Sequence, residues 1–174
     1  MQRLQCLVSI TGVKFIVAGL WIVSALVNAQ TQATSQLVVS GDIPAQLTLK
    51  PEDLAKMPRE TVTVDDQDGS KIAYEGVRLR EILKRAGAPL GKDLRGKALA
   101  TYVLAKAHDG YEVVFTLGEL DEAFGNEPIL VADKRDGKSL FGYQGPFRLV
   151  CGNDKAGARS VRMLETLEVV RLQK

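Results

Sequence analysis

Gln144-Gly145-Pro146-Phe147-Arg148-Leu149-Val150 and, one loop later, Gly157-Ala158-Arg159-Ser160-Val161-Arg162-Met163 are the stretches on which the reading of this chain turns. Gly145-Pro146 predicts a tight turn feeding an apolar strand over residues 147–151, with Arg148 alternating against its neighbours. The second stretch is a loop of small residues that delivers Arg159, Ser160 and Arg162 together. Guanidinium forks and a hydroxyl beside glycine-supplied backbone amides are the groups that grip a phosphate or another oxyanion. Spacing alone also fits ordinary strand-edge charges.

Outward from there, the elements interleave without a regular βαβ rhythm. Strands are predicted at 37–40 and 46–49, then a brief helix entered at Pro51 with Glu52 and Asp53 in its first turn and stopped at Met57-Pro58. Thr61-Val62-Thr63-Val64 makes a third strand, followed by a polar loop to Ser70. From Val77 to Gly87 the spacing predicts the clearest helix: Leu79, Ile82, Leu83 and Ala86 form one apolar stripe, with Arg78, Glu81 and Lys84 facing water. Strands at 98–105 and 111–116 flank Asp109-Gly110, a hairpin signal. A short helix near 117–123 and strands at 128–132, 147–151 and 164–172 complete the pattern. The fold class is α+β, a mixed β-sheet with a few short helices.

The N-terminus reads as a leader. Arg3 and Lys14 are the only charges before residues 15–27, an apolar run interrupted by Ser24, and Val27-Asn28-Ala29 offers small residues for a signal peptidase. The run is too short to span a bilayer unaided, although it also reads as an uncleaved anchor. The expected organisation is a signal peptide at 1–29, a flexible segment at 30–36 and one domain at 37–174, in a periplasmic or secreted protein with no membrane span after cleavage. Removing Arg3 and Lys14 from the 23 cations leaves 21, balanced against 21 acids. A neutral, mixed surface excludes nucleic acid and anionic membrane as partners. Cys6 leaves with the leader, so Cys151 stands without an intramolecular partner, and its apolar strand predicts burial. The lone histidine, His108, has neither a second His nor a nearby Cys to complete a zinc set, and neither a G-x-S-x-G elbow nor a Gly-x-Gly phosphate loop is present.

Four ordered segments resemble the oxidoreductase molybdopterin-binding domain of the sulfite oxidase family: Leu47 to Leu54, Tyr74 to Leu83, Asp109-Gly110-Tyr111, and the C-terminal pair quoted above. The resemblance implies that fold, and it implies pterin-holding roles for Asp109, Arg148, Ser160, Val161 and Arg162, with Gln144 corresponding loosely to a residue before the strand arginine. It also implies a metal held by a cysteine thiolate just before the helix, a soft ligand for a soft centre. Here that stretch is Thr61-Val62-Thr63-Val64-Asp65-Asp66-Gln67-Asp68-Gly69-Ser70, in which the strand is kept while the cysteine and the family's asparagine-arginine loop are replaced by acids. The leader carries Arg3 alone rather than paired arginines, which implies export of an unfolded chain without a preloaded cofactor. The expectation is therefore no cofactor, with molybdopterin the one the resemblance admits. The expected role is that of a non-catalytic binding or accessory module for a small anionic ligand or partner protein. The alternative is a reduced molybdenum-dependent oxidoreductase acting on a small substrate.

Overall fold

The computed structural model describes residues 36–66 and 68–172; the expected leader and its cleavage point lie outside the described residues. Two five-stranded sheets replace the single sheet expected from sequence. The first has the order β2 (Leu47–Leu49), β1 (Leu37–Gly41), β10 (Leu164–Arg171), β5 (Thr101–Ala107), β6 (Glu112–Thr116), with β1 and β10 parallel and the other neighbours antiparallel. In the second, β3 (Arg59–Asp65), β4 (Lys71–Arg78) and β7 (Ile129–Arg135) run antiparallel in that order, and β7 then pairs with both β8 (Lys138–Ser139) and β9 (Arg148–Cys151). The helices are short: α1 (Pro51–Leu54), α2 (Leu79–Arg85) and α3 (Leu117–Leu120). Among the described residues no helix is long and apolar enough to cross a membrane.

Period-2 alternation explains why two sheets form. Val103, Ala105, Leu167 and Val169 of the first sheet point into one buried cluster with Val77, Val131 and Leu149 of the second. The apolar stripe of α2 closes this core, with Leu79, Ile82, Leu83 and Ala86 fully buried as the heptad spacing predicts. The opposite face of the second sheet carries its own smaller cluster of Ile72, Tyr74, Leu130, Ala132, Leu140 and Val150, flanked by Val62 and Val64. A sheet apolar on both faces needs cover on both, and the second cover is incomplete. That gap becomes the site.

The helix expected from Val77 starts two residues later, because Lys71–Arg78 is a strand. Gly76, which reads locally as a breaker, is required there. The β4–β7 register shifts between Glu75 and Gly76, and a Cβ at Gly76 would lie 2.1 Å from the Val131 carbonyl oxygen. Arg78 accordingly does not face water from a helix; its Nε donates to Glu60 at 2.6 Å and its Nη1 to Asn126 at 3.1 Å. The strand expected at 98–105 begins at Thr101, since Gly96–Ala100 forms a 3₁₀ turn ahead of it. Across the second sheet, Arg59 of β3 reaches over β4 to clasp Asp133 of β7 with two hydrogen bonds, at 3.2 and 2.5 Å.

Candidate anion-binding cleft

A cleft of about 900 Å³ opens on the outer face of the second sheet. Its floor is Val64, Ile72, Tyr74 and Val150, residues of the small apolar cluster. Gln144 and Tyr143 border it on one side, the loop from Gly152 to Ser160 on another, and Thr63 to Asp66 at the end of β3 on a third.

Arg148 enters the cleft because it alternates along β9 with Leu149, which is buried in the main core. Its Nη1 donates to the Gln144 side-chain oxygen and its guanidinium lies 4.9 Å from the centre of the Tyr74 ring. Its Nε is buried and has no hydrogen-bond partner among the described residues. Burial holds this guanidinium below its ordinary pKa, and the neighbouring charges of Arg162 and Arg135 push the same way, with Tyr74 and Asp66 opposing them. Arg162 also lines the cleft, exposed, 5.6 Å over the Tyr143 ring. The Ser160 hydroxyl accepts from the Cys151 amide at 3.2 Å, which fixes its oxygen at the cleft wall.

Other expected site residues fall elsewhere. Asp109 sits at the tip of the β5–β6 turn, where its carboxylate accepts from the Tyr111 amide at 3.1 Å. It lines a smaller hollow of about 410 Å³ that shares Tyr143, Gly157, Ala158, Ser160 and Arg162 with the main cleft, so it adjoins Arg162 but not Arg148. The Val161 side chain is wholly buried in the main core, and its carbonyl accepts from the Leu149 amide at 2.8 Å. Arg159, expected to converge with Arg148 and Arg162, turns away. Its Nε and Nη2 bond both oxygens of Asp154 at 2.8 Å, Nη1 reaches Glu119 at 3.3 Å, and the guanidinium lies over the Phe115 ring at 5.3 Å. A carboxylate five residues away captures it before the cleft can.

Sequence reasoning passed over Tyr74, Arg135, Tyr143 and Lys155, all of which border the cleft. Tyr74 and Arg135 are direct cross-strand neighbours on β4 and β7. The alternation of Ile72 with Tyr74 was the signal that could have found that strand. Arg135 in turn faces Asp66 at 3.6 Å.

Cys151 borders the cleft but is only 5 % exposed, and its thiol points to the Arg159 carbonyl oxygen at 3.6 Å. Burial, reinforced by the Asp154 charge, pushes its pKa up to about 12. The thiol is therefore neutral at physiological pH. A folded pKa raised above the unfolded value, about 8.5, means the native state keeps the proton longer. The thiol's contribution to stability is then complete below that unfolded value and is lost as pH climbs toward 12. Native protein at pH 8 should label at Cys151 at least ~100-fold more slowly than denatured protein, since the thiolate is the nucleophile. Equal rates in a stopped-time alkylation series would contradict this placement.

At the end of β3, Asp65 pairs with Lys71 of β4. Among the described residues no three His, Cys, Asp or Glu side chains group closely enough to hold a metal ion. His108 instead lies at an exposed turn with its Nδ1 2.7 Å from Glu165.

The sequence profile described as oxidoreductase molybdopterin binding domain matches residues 25–174. Among solved structures the chain is similar to the crystal structure of the sulfane dehydrogenase SoxCD from Paracoccus pantotrophus. The two are 19 % identical with a TM-score of 0.59, over 77 % of this chain and 37 % of that one. At that identity the likeness speaks to the fold, and the chain spans well under half of its neighbour's length. No curated protein matches the chain.

Proposed function

Because the chain belongs to the oxidoreductase molybdopterin binding domain family, we propose that its cleft receives a phosphate-bearing anion, in an exported protein that serves as a binding or accessory module without thiolate-metal chemistry. The observation that carries this reading is the buried, unpartnered Nε of Arg148. A buried donor without an acceptor costs about 1–3 kcal/mol, more when charged, and a ligand oxygen would remove that cost. Arg162 and the Ser160 hydroxyl stand on the same cleft and suit the remaining oxygens of a phosphate. The apolar floor and the Tyr143 ring beside them suit a planar group attached to it.

For molybdopterin, the fit is divided. Arg148, Ser160 and Arg162 would hold the phosphate end, and Tyr143 would border the ring. The metal end finds acids, Asp65 and Asp66, in the stretch where the resemblance places a thiolate, and they are engaged by Lys71 and Arg135. No reaction step is therefore assigned to the cleft. One observation favours the alternative of a reduced molybdenum oxidoreductase: Cys151, the only cysteine after Ala29, borders the same cleft. Against it stand the burial of that thiol and its hydrogen bond to Arg159.

Export rests on the leader composition, with its apolar run ending at Val27 before small residues and its single arginine. The test of the binding role is titration calorimetry of the mature protein with inorganic phosphate and with a phosphorylated pterin. Saturable binding of both, tighter for the pterin, supports the reading; heat no greater than for sodium chloride overturns it.

A further inference from the structure

We infer that Arg159 is the positioning residue of the anion site: it does not itself line the cleft, yet it fixes the wall that presents Ser160 and Arg162 to a ligand. This rests on the reading of the cleft as an anion site. The loop from Gly152 to Arg159 contributes Asp154, Lys155, Gly157 and Ala158 to that wall. Besides the Cys151 thiol contact to the Arg159 carbonyl, its ties to the body through other side chains are exposed: Asn153 donates to Glu127 at 3.0 Å, and the Tyr111 hydroxyl donates to the Ala158 carbonyl at 2.6 Å.

Arg159 supplies the part-buried tie. One edge of its guanidinium is spent on Asp154 inside the loop. Its Nη1 reaches Glu119, whose own amide is capped by the Thr116 hydroxyl at 3.2 Å at the start of α3. Its face rests on Phe115, a fully buried ring of β6. The loop is thus bolted to α3 and the main core through one planar group. A lysine ammonium could satisfy one of these acids but could not fork to two and stack at once.

The effect on the cleft is short-range. Arg159 is one peptide bond from Ser160, whose oxygen receives the Cys151 amide, and its own carbonyl receives the Cys151 thiol. Any shift of the Arg159 backbone displaces the Ser160 hydroxyl and loosens the cover of Cys151 together. Arg162 follows two residues later on the same strand of chain.

Two readouts on the full mature protein test this: the Kd for inorganic phosphate and the alkylation rate of Cys151 by a small neutral thiol reagent. Arg159→Ala is expected to weaken phosphate about tenfold, the ratio a ~1.4 kcal/mol loss gives, and to speed labelling by a similar factor; Arg159→Lys restores both only in part. Arg80→Ala, which breaks ion pairs with Glu81 and Glu122 outside the cleft, leaves both unchanged. If Arg159→Ala does not fold, Glu119→Gln, which removes the charge of the partner on α3 from outside the cleft, carries the same expectation. Wild type that binds phosphate, with both readouts unmoved in the folded variants, overturns the positioning role while the anion site stands. Wild type that binds no phosphate, with labelling still accelerated in Arg159→Ala, overturns the anion site and supports the clamp.

Discussion

Arg148→Met is expected to weaken phosphate binding sharply without lowering stability. The wild-type guanidinium is buried, is held below its usual pKa by that burial and by Arg162 and Arg135, and leaves one donor unsatisfied. Its compensating contacts are the hydrogen bond to Gln144 and the Tyr74 ring. Methionine keeps the contact with the ring and abolishes the charge, so gains and losses within the fold nearly cancel. The ligand has no such substitute. A charge-assisted contact of about 1.5–3 kcal/mol corresponds to a roughly 10- to 150-fold rise in Kd. The pairing of lost binding with an unchanged or higher urea midpoint is the mark of a residue kept for function at the expense of the fold. A midpoint that drops sharply while phosphate still binds would make Arg148 a structural residue.

Arg59→Met has the largest effect expected on folding itself. Asp133 is 7 % exposed, and its two oxygens are held by Arg59, which is 24 % exposed. Removing the cation strands a carboxylate inside the second sheet, and breaking a buried pair costs about 3–5 kcal/mol. The partial exposure of Arg59 places the expected loss near ~3 kcal/mol. Replacing both residues, Arg59→Met with Asp133→Leu, should recover most of that loss, because the stranded charge is gone. Urea unfolding of the single and double variants measures both. A double variant no better than the single would show that Arg59 contributes packing rather than charge pairing.

Much of this architecture was legible because its signals are local. Short apolar runs between turn signals announced β1, β5, β6 and β10, alternation announced β3, the stripe of Leu79, Ile82 and Leu83 announced α2, and Gly87 marked its end. The site was legible in outline for the same reason: Arg148 and the Ser160 to Arg162 segment lie on adjoining pieces of chain. What escaped was non-local. β4 was hidden because its residues run straight into the apolar stripe of α2, and the reason for Gly76, the approach of the Val131 backbone from β7, is not local. The division into two sheets depends on which strands pair, and alternation within one strand does not record its neighbour. The direction of Arg159 is set by Asp154 and by Glu119, 40 residues earlier, a partner that no local pattern points to.

The proposed cleft keeps the anion half of the family's site without thiolate-bound metal, and this is directly measurable. The most direct measurement is elemental analysis of protein matured in a host that makes molybdenum cofactor, run beside its Cys151→Ser variant. The account predicts molybdenum far below stoichiometric in both, with phosphate still bound by the wild type. Near-stoichiometric molybdenum in the wild type, lost in Cys151→Ser, would contradict it and make that thiol the metal ligand.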